Sequence, residues 1–351
     1  MAPIAGWFDP AKNGGFLRLA ANSYLPAKGD VSVRLPGLKR GDLLTLENGR
    51  VVSVNGGAPE AARDRPDFTS LGAVHPSRPL VLETTGASSP RTAEIQRVVD
   101  LICPFGFGQR ALIVSPPKAG KTIMLQAVAE GVALNHPGAV LLVLLVDERP
   151  EEVSEMVDWG RGEVVASSFD LPQERHVAVA EMVFEHARRR VEMGQDVVIV
   201  LDSLTRLARS HNTTGKSSRR TLTGGLDANA LAAPKAMFGA ARAVADGGSL
   251  TVVATALVET ESRMDDVIFE EFKGTGNAEL RLSRALADRR IYPAVDVAAS
   301  GTRREELLAD ARTVAAKQAL RRGLVGLPPE RAMEALLQQL RRAKTNAQLL
   351  A

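Results

Sequence analysis

The stretch "SPPKAGKT", Ser115 to Thr122, decides how the chain is read. The apolar run "RALIVS" precedes it and "KTIMLQAVAEGVALN" follows, so a buried strand feeds a loop and the loop opens a helix. That is the setting of a phosphate-binding loop. Backbone N–H groups at the helix N-terminus surround phosphate oxygens, a lysine adds charge, and a hydroxyl holds Mg²⁺. The usual pattern, G-x-x-x-x-G-K-[ST], is met except at its first glycine, where Ser115 stands. That position shapes the entry turn rather than the phosphate contact, and Pro116 and Pro117 stiffen the turn by fixing φ. Gly120, Lys121 and Thr122 supply the parts that are hard to replace.

Two carboxylates at strand ends fit the same site. "VVIVLDS" places Asp202 at the end of a buried strand, where it can hold the water shell of Mg²⁺. "LLVLLVDERPEE" puts Glu148 one residue beyond another strand, placed to polarise an attacking water as general base. One carboxylate leaving a strand for solvent is common. Two of them beside a phosphate loop point to hydrolysis of a nucleotide.

Further out, near-continuous Val, Ile and Leu runs alternate with helical stretches from about Val98 onward: "RALIVS", "AVLLVLLVDE", "EVVASS", "DVVIVLDS" and "SLTVVATAL". The pattern predicts an α/β domain with a parallel sheet covered on both faces. Helices are expected around Thr302 to Arg322 and Pro329 to Ala343. Residues before about 80 read differently: "GGFLRLA", "DVSVRL", "DLLTLEN" and "RVVSVNG" are short runs parted by Gly, Pro, Asn and Asp, as in a small antiparallel β-barrel. The Ser-, Thr-, Gly- and Pro-rich stretch between the two reads as a linker. The expected division is 1–83, 84–96 and 97–351.

The totals agree with two folded domains. The chain has 351 residues, against a prior of about 150 per domain. It is 45% hydrophobic and 24% charged, which is globular and not disordered. Net charge is only +3, so a footprint for a polyanion is confined to local basic runs such as "GKSSRR" and "LADRRIYP". The single cysteine, Cys103, excludes an intrachain disulfide and lacks the partners of a metal cluster. With no basic and apolar leader and no apolar run of membrane length, a cytoplasmic protein with no membrane partner is expected.

The motifs, taken in order, resemble those of the bacterial transcription termination factor Rho family. "SPPKAGKT", "LLVDERPEEVSEM", "GEVVASSFD", "VLDSLTRLAR", "TLTGGLDANAL", "FGAARAVADGGSLTVVATAL", "EEFKGTGNAEL" and "SGTRREELL" match in order and spacing from about Arg97 to Leu308. The resemblance implies a RecA-like P-loop ATPase domain preceded by a small OB-like (cold-shock-like) β-barrel. It implies a homohexamer that hydrolyses ATP with Mg²⁺, moves 5′→3′ on single-stranded RNA and releases RNA from the RNA polymerase transcription complex.

Carried over residue by residue, the loop Pro116, Pro117, Lys118, Ala119, Gly120, Lys121, Thr122 and Ile123 binds the nucleotide, with Lys118 and Lys121 on the phosphates. Thr122 and Asp202 hold Mg²⁺, and Glu148 is the catalytic carboxylate with Arg149 beside it. Arg303 resembles the arginine finger given to a neighbouring subunit, Arg290 an intersubunit sensor, and Tyr292 the aromatic that meets adenine. RNA contacts are expected from the loop carrying Lys216, Arg219 and Arg220, and from Thr260 and Arg263, where an arginine replaces the family's usual lysine.

The amino-terminal part departs from the family. Its first, helical subdomain is expected to be absent, and the barrel's stacking surface is reduced. Phe16 is kept, Gly14 stands where a second phenylalanine usually falls, and Ser32 occupies another expected aromatic position. Phe16, Arg18 and Asp30 remain as candidate RNA contacts. A second reading is therefore a paralogue that binds nucleotide and RNA as a regulatory module without processive unwinding. A rotary-ATPase or protein-export subunit is a weaker third, because both RNA loops match.

Overall fold

The computed structural model describes residues 3–215, 223–227, 229–245 and 247–351. Strands β1 (Ile4–Ala11), β2 (Gly14–Arg18), β3 (Val31–Val33), β4 (Leu43–Glu47) and β5 (Arg50–Val54) form one antiparallel sheet, ordered β3-β2-β1-β4-β5. The expected small β unit is this curled sheet, with β3 and β5 as its edges. Its centre, β1, is a strand that the apolar runs did not single out. Gly6 and Pro10 interrupt its pattern, yet Trp7 and Phe8 carry it into the core. Phe8, Leu17, Val33, Leu44, Leu46 and Val54 fill the sheet's inner face.

A second sheet contains β6 (Ala73–Val74), β7 (Arg110–Ser115), β8 (Val140–Glu148), β9 (Glu163–Ser168), β10 (Asp196–Asp202), β11 (Arg242–Val244), β12 (Ser249–Leu257), β13 (Ala278–Arg281) and β14 (Gly301–Thr302). The order is β14-β13-β7-β12-β10-β8-β9, with β11 beside β12 and β6 beside β11. The pairs from β13 through β9 are parallel, as the continuous apolar runs predict, whereas β14, β11 and β6 join antiparallel at the margins.

Among the described residues eleven α-helices accompany the strands: α1 (Pro90–Ile102), α2 (Lys121–Asn135), α3 (Pro150–Trp159), α4 (Gln173–Glu192), α5 (Leu204–Thr214), α6 (Ala232–Gly239), α7 (Arg263–Lys273), α8 (Arg284–Asp288), α9 (Ala311–Val325), α10 (Pro329–Arg342) and α11 (Asn346–Leu350). Side chains of β7 alternate between the two covered faces. Ala111 and Ile113 join α1, α2 and α10, while Leu112 and Val114 join α4, α5 and α7. Burying each such Val, Leu or Ile is worth roughly 1.5–3 kcal/mol. Helix α1 starts inside the stretch read as a linker, because Ser89 accepts the Thr92 N–H as an N-cap at 3.1 Å. The first closing helix begins at Ala311 rather than at Thr302. Residues Gly301–Thr302 pair with β13, and the helix waits for Asp310, whose carboxylate caps Thr313.

The amino-terminal sheet is fastened to the larger domain by rings. Trp7 is fully buried between Tyr24 (centroids 3.6 Å apart, planes 8° apart) and His186 of α4 (4.1 Å, 11°). Burial pushes the His186 imidazole down to about 3, so it is neutral and its Nδ1–H donates to the Gly41 carbonyl at 2.8 Å. Gly41 sits at φ +87, where a Cβ would lie 2.4 Å from the His186 backbone nitrogen, so only glycine allows this approach. Arg65, buried between Asp42 (2.8 Å) and Glu192 (2.9 Å), adds a second tie to α4.

Candidate nucleotide site and nucleic-acid loops

The loop from Pro116 to Gly120 turns between β7 and α2. Lys118 takes φ +65 and Gly120 φ +94, the left-handed turns that let the chain curl back on itself before the helix. Ser115 is fully buried and donates its hydroxyl to the Pro116 carbonyl at 2.9 Å, so the residue that replaces the first glycine closes the entry turn. Ala119 packs into the core, while Pro117 and Lys118 are exposed. Thr122 and Ile123 lie half-buried in the first turn of α2.

Lys121 begins α2 and points at the two carboxylates. Its Nζ lies 3.0 Å from Glu148 Oε1 and 2.6 Å from Asp202 Oδ1. Burial alone would lower this ammonium, but the Asp202 and Glu148 charges outweigh it and hold it above the ordinary lysine range. Glu148 is the last residue of β8 rather than one residue beyond it, and it is 2% exposed. Asp202 ends β10, buried, and also accepts the Thr255 hydroxyl at 2.7 Å. The Thr122 side chain makes no hydrogen bond among the described residues. That hydroxyl, on the residue after the lysine that meets buried Asp202, makes with the carboxylate a hard-oxygen donor set of the kind that suits Mg²⁺.

The arginine at Glu148 is not Arg149. Arg149 is exposed at the N-cap of α3, 4.0 Å from Glu152. In its place Arg206, from the first turn of α5, lies 3.2 Å from Glu148 Oε1 and 3.2 Å from Asp147 Oδ2. Asp147, at φ +58, also faces His176 Nε2 at 3.6 Å, and the other ring nitrogen of that histidine is 2.7 Å from the Ser167 hydroxyl. Sequence reasoning missed Arg206 and Asp147. The available signal was a basic residue four positions after the carboxylate that ends β10, one turn into the next helix.

Tyr292 is brought to the loop. Its ring carbons lie 3.9 Å from where a Cβ on Gly120 would be, and the Arg91 guanidinium stands 5.0 Å from the ring centroid. Arg303 is not brought to it. It is exposed, and its N–H donates to the Asn277 carbonyl at 2.9 Å, beside the start of β7 and at the far end of that strand from Ser115.

Lys216, Arg219 and Arg220 lie outside the described residues. The end of their loop meets the other expected RNA loop directly: a Cβ on Gly224, at φ +79, would lie 2.8 Å from the Met264 nitrogen. Thr260 donates to Asp265 Oδ2 at 2.6 Å, and Arg263 is exposed at the start of α7. Asp265 is fully buried and is gripped by Arg209 of α5. Helix α5 thus carries Arg206 toward the nucleotide site and Arg209 toward the loop.

In the amino-terminal sheet, Phe16 is half-buried opposite Asp9 and Ser32, with the Arg18 guanidinium 5.0 Å from its ring. Arg18 is already paired twice, with Asp9 at 2.7 Å and Asp30 at 2.5 Å. Although burial pushes the Asp30 carboxyl up, the Ala27 N–H and Arg18 more than offset it and hold it below the usual range.

Together, fold and site define a RecA-like P-loop nucleotide-binding domain, and residues 96–302 match the ATP synthase alpha/beta family, nucleotide-binding domain. Over 99% of its length the chain is 57% identical to the transcription termination factor Rho of Gemmatimonas aurantiaca, covering 50% of that protein. It is 51% identical to the Rho of Streptosporangium roseum, covering 91% of it. The chain belongs to the transcription termination factor Rho family. It spans about half the length of some of these relatives, the Streptomyces lividans protein among them (49% identical, 51% covered). Among solved structures it resembles a type III secretion system ATPase, with TM-score 0.61 and 21% identity over 72% of this chain and 70% of the other. A second is the assembled ATPase EscN of enteropathogenic E. coli, with TM-score 0.60 and 20% identity over 75% and 60%. Among the described residues no helix is long and apolar enough to cross a membrane.

Proposed function

We propose that the chain is an ATP-dependent RNA translocase of the cytoplasm that works as a homohexamer and terminates transcription by releasing nascent RNA from RNA polymerase. The observation that carries this reading is helix α5: one of its arginines is on Glu148 and the next, a turn later, is on the buried carboxylate that holds Thr260. A nucleotide site and an RNA loop that share a rigid helix have a physical means of coupling hydrolysis to grip.

In this reading the backbone of Pro116 to Gly120 cradles the phosphates, and Lys121 leaves its carboxylates to meet them. Lys118, exposed beside the loop, adds a second positive charge, and Tyr292 packs against adenine. Thr122 and Asp202 would hold Mg²⁺, which neutralises charge on the phosphate oxygens. Glu148, freed from Lys121, takes the proton of the attacking water, and Arg206 fixes its orientation. Arg303 cannot reach its own site from the far end of β7. It would serve a neighbour's, stabilising the charge that develops on the transferred phosphoryl group. Thr260, Arg263 and the loop of Lys216, Arg219 and Arg220 hold RNA phosphates. Arg149 and Arg290, both surface residues, face the subunit boundary.

A regulatory module that binds nucleotide and RNA without unwinding is the second reading. It is favoured by the amino-terminal sheet, where Gly14 offers no ring and Arg18 is already neutralised. ATP hydrolysis with and without single-stranded RNA separates the two. The motor hydrolyses many-fold faster with RNA, whereas an absence of stimulation at every RNA composition would sink it.

A further inference from the structure

Three arginines meet at the end of the large sheet opposite the phosphate loop. Arg110, the first residue of β7, is clamped by carbonyls: Nε donates to Thr275 at 2.8 Å and Nη1 to Ala241 at 2.9 Å. Its N–H donates to the Asn277 side chain at 2.8 Å, and the carbonyl of the same Asn277 accepts the Arg303 N–H at 2.9 Å. Arg242 adjoins the clamping carbonyl, with Nε on Ala240 at 3.0 Å and its guanidinium 4.7 Å from the Phe68 ring centroid. None of the three forms an ion pair with a carboxylate among the described residues. Burial, then the charges of Arg242 and Arg303, oppose the Arg110 cation. Like charges brought this close repel, and with Arg110 and Arg242 held in place and Arg303 exposed beside them the cluster suits an anion supplied from outside.

The chain's own nucleotide cannot supply it. Strand β7 runs six residues from Arg110 to Ser115, roughly 16 Å at the usual rise. The guanidinium fork matches phosphate oxygens, and Arg303 is the residue assigned above to a neighbour's phosphates. We propose that Arg110 and Arg242 join Arg303 in one cationic face that receives the phosphates of a nucleotide bound to a second copy of this chain. The inference rests on the reading that Arg303 acts across a subunit boundary. Within it, Arg110 and Arg242 are positioning residues: they set the field behind Arg303 and keep its side chain turned outward.

Mixed rings test this. Arg110→Gln is expected to lower the RNA-stimulated kcat about tenfold, with the KM for ATP changed less than twofold and rings intact by light scattering. Arg110→Lys, which keeps the charge and loses the fork, should fall between. Mixed with Lys121→Ala subunits, which lack hydrolysis but carry intact arginines, Arg110→Gln subunits should recover hydrolysis above the sum of the two alone. Arg242→Gln should behave alike, and it carries the test if Arg110→Gln does not fold. If mixtures with Arg303→Ala recover and those with Arg110→Gln and Arg242→Gln do not, the proposal is overturned and the reading of Arg303 stands. If none recovers, the boundary reading fails and takes the proposal with it. If the variants weaken RNA binding at unchanged kcat, the face serves nucleic acid and the proposal is overturned.

Discussion

Arg209 holds Asp265 by both arms of its guanidinium, Nε to Oδ1 at 2.7 Å and Nη2 to Oδ2 at 2.6 Å, and the carboxylate has no exposure to water. A two-pronged bond of this kind fixes direction as well as charge. Removing Arg209 strands a buried carboxylate, so Arg209→Ala is expected to cost about 3 kcal/mol in urea unfolding. The Thr260 loop loses its anchor at the same time. The RNA concentration for half-maximal stimulation of hydrolysis should rise about tenfold, and Asp265→Asn should show the same rise with a smaller loss of stability.

Arg206 is the arginine that touches Glu148, the carboxylate proposed as general base. Arg206→Ala is expected to lower kcat by roughly 10- to 100-fold, because the base loses its orientation when the transition state needs it. Nucleotide affinity, measured with a fluorescent ATP analogue, should change much less. The kcat loss should exceed that of Arg149→Ala, and equal losses would return Arg149 to the role the family resemblance implies.

Stability should depend on pH through Asp100. Burial raises its carboxyl from 3.8 to about 7, even though it accepts the Leu82 and Glu83 N–H groups. A carboxyl whose folded value lies above its unfolded one favours the fold fully below about pH 4, and that contribution is lost as pH rises through about 7. The full difference is up to about 4 kcal/mol. Urea midpoints should therefore fall between pH 4 and 7 relative to Asp100→Asn and run parallel above that. Parallel curves throughout would show that the group is not buried as described.

Restoring an aromatic at Gly14 should not restore RNA binding. Gly14 lies at φ +115, just past the Lys12–Asn13 turn that joins β1 to β2, and a Cβ there would sit 2.7 Å from the Val33 carbonyl oxygen. Gly14→Phe is expected to destabilise the amino-terminal sheet by roughly 2 kcal/mol or more, with no gain in affinity for single-stranded RNA. A tighter complex at unchanged melting temperature would overturn this.

The parallel strands, the phosphate loop and the carboxylates at the ends of β8 and β10 were legible because each is written in consecutive residues. Apolar runs, turn residues and strand ends need no knowledge of what lies across the sheet. Arg206 and Arg209 were not legible. An arginine on a helix ordinarily reads as a solvated face, and their partners lie 58 and 56 residues away, on neighbouring elements. The family resemblance implies Arg149 beside Glu148, but the turn into α3 swings it outward, and Arg206 of α5 meets that carboxylate instead. Strand β1 was missed because its place at the centre of a sheet comes from pairing on both sides, not from its own pattern.

The Trp7 sandwich has a mechanical consequence. Three rings clasped face to face, with Gly41 pressed on the His186 backbone, leave no hinge between the first sheet and α4. That sheet cannot swing by itself. It rides on the larger domain like an arm welded to a crank, and whatever meets Phe16 is carried through the same angle as the nucleotide-binding domain beneath it.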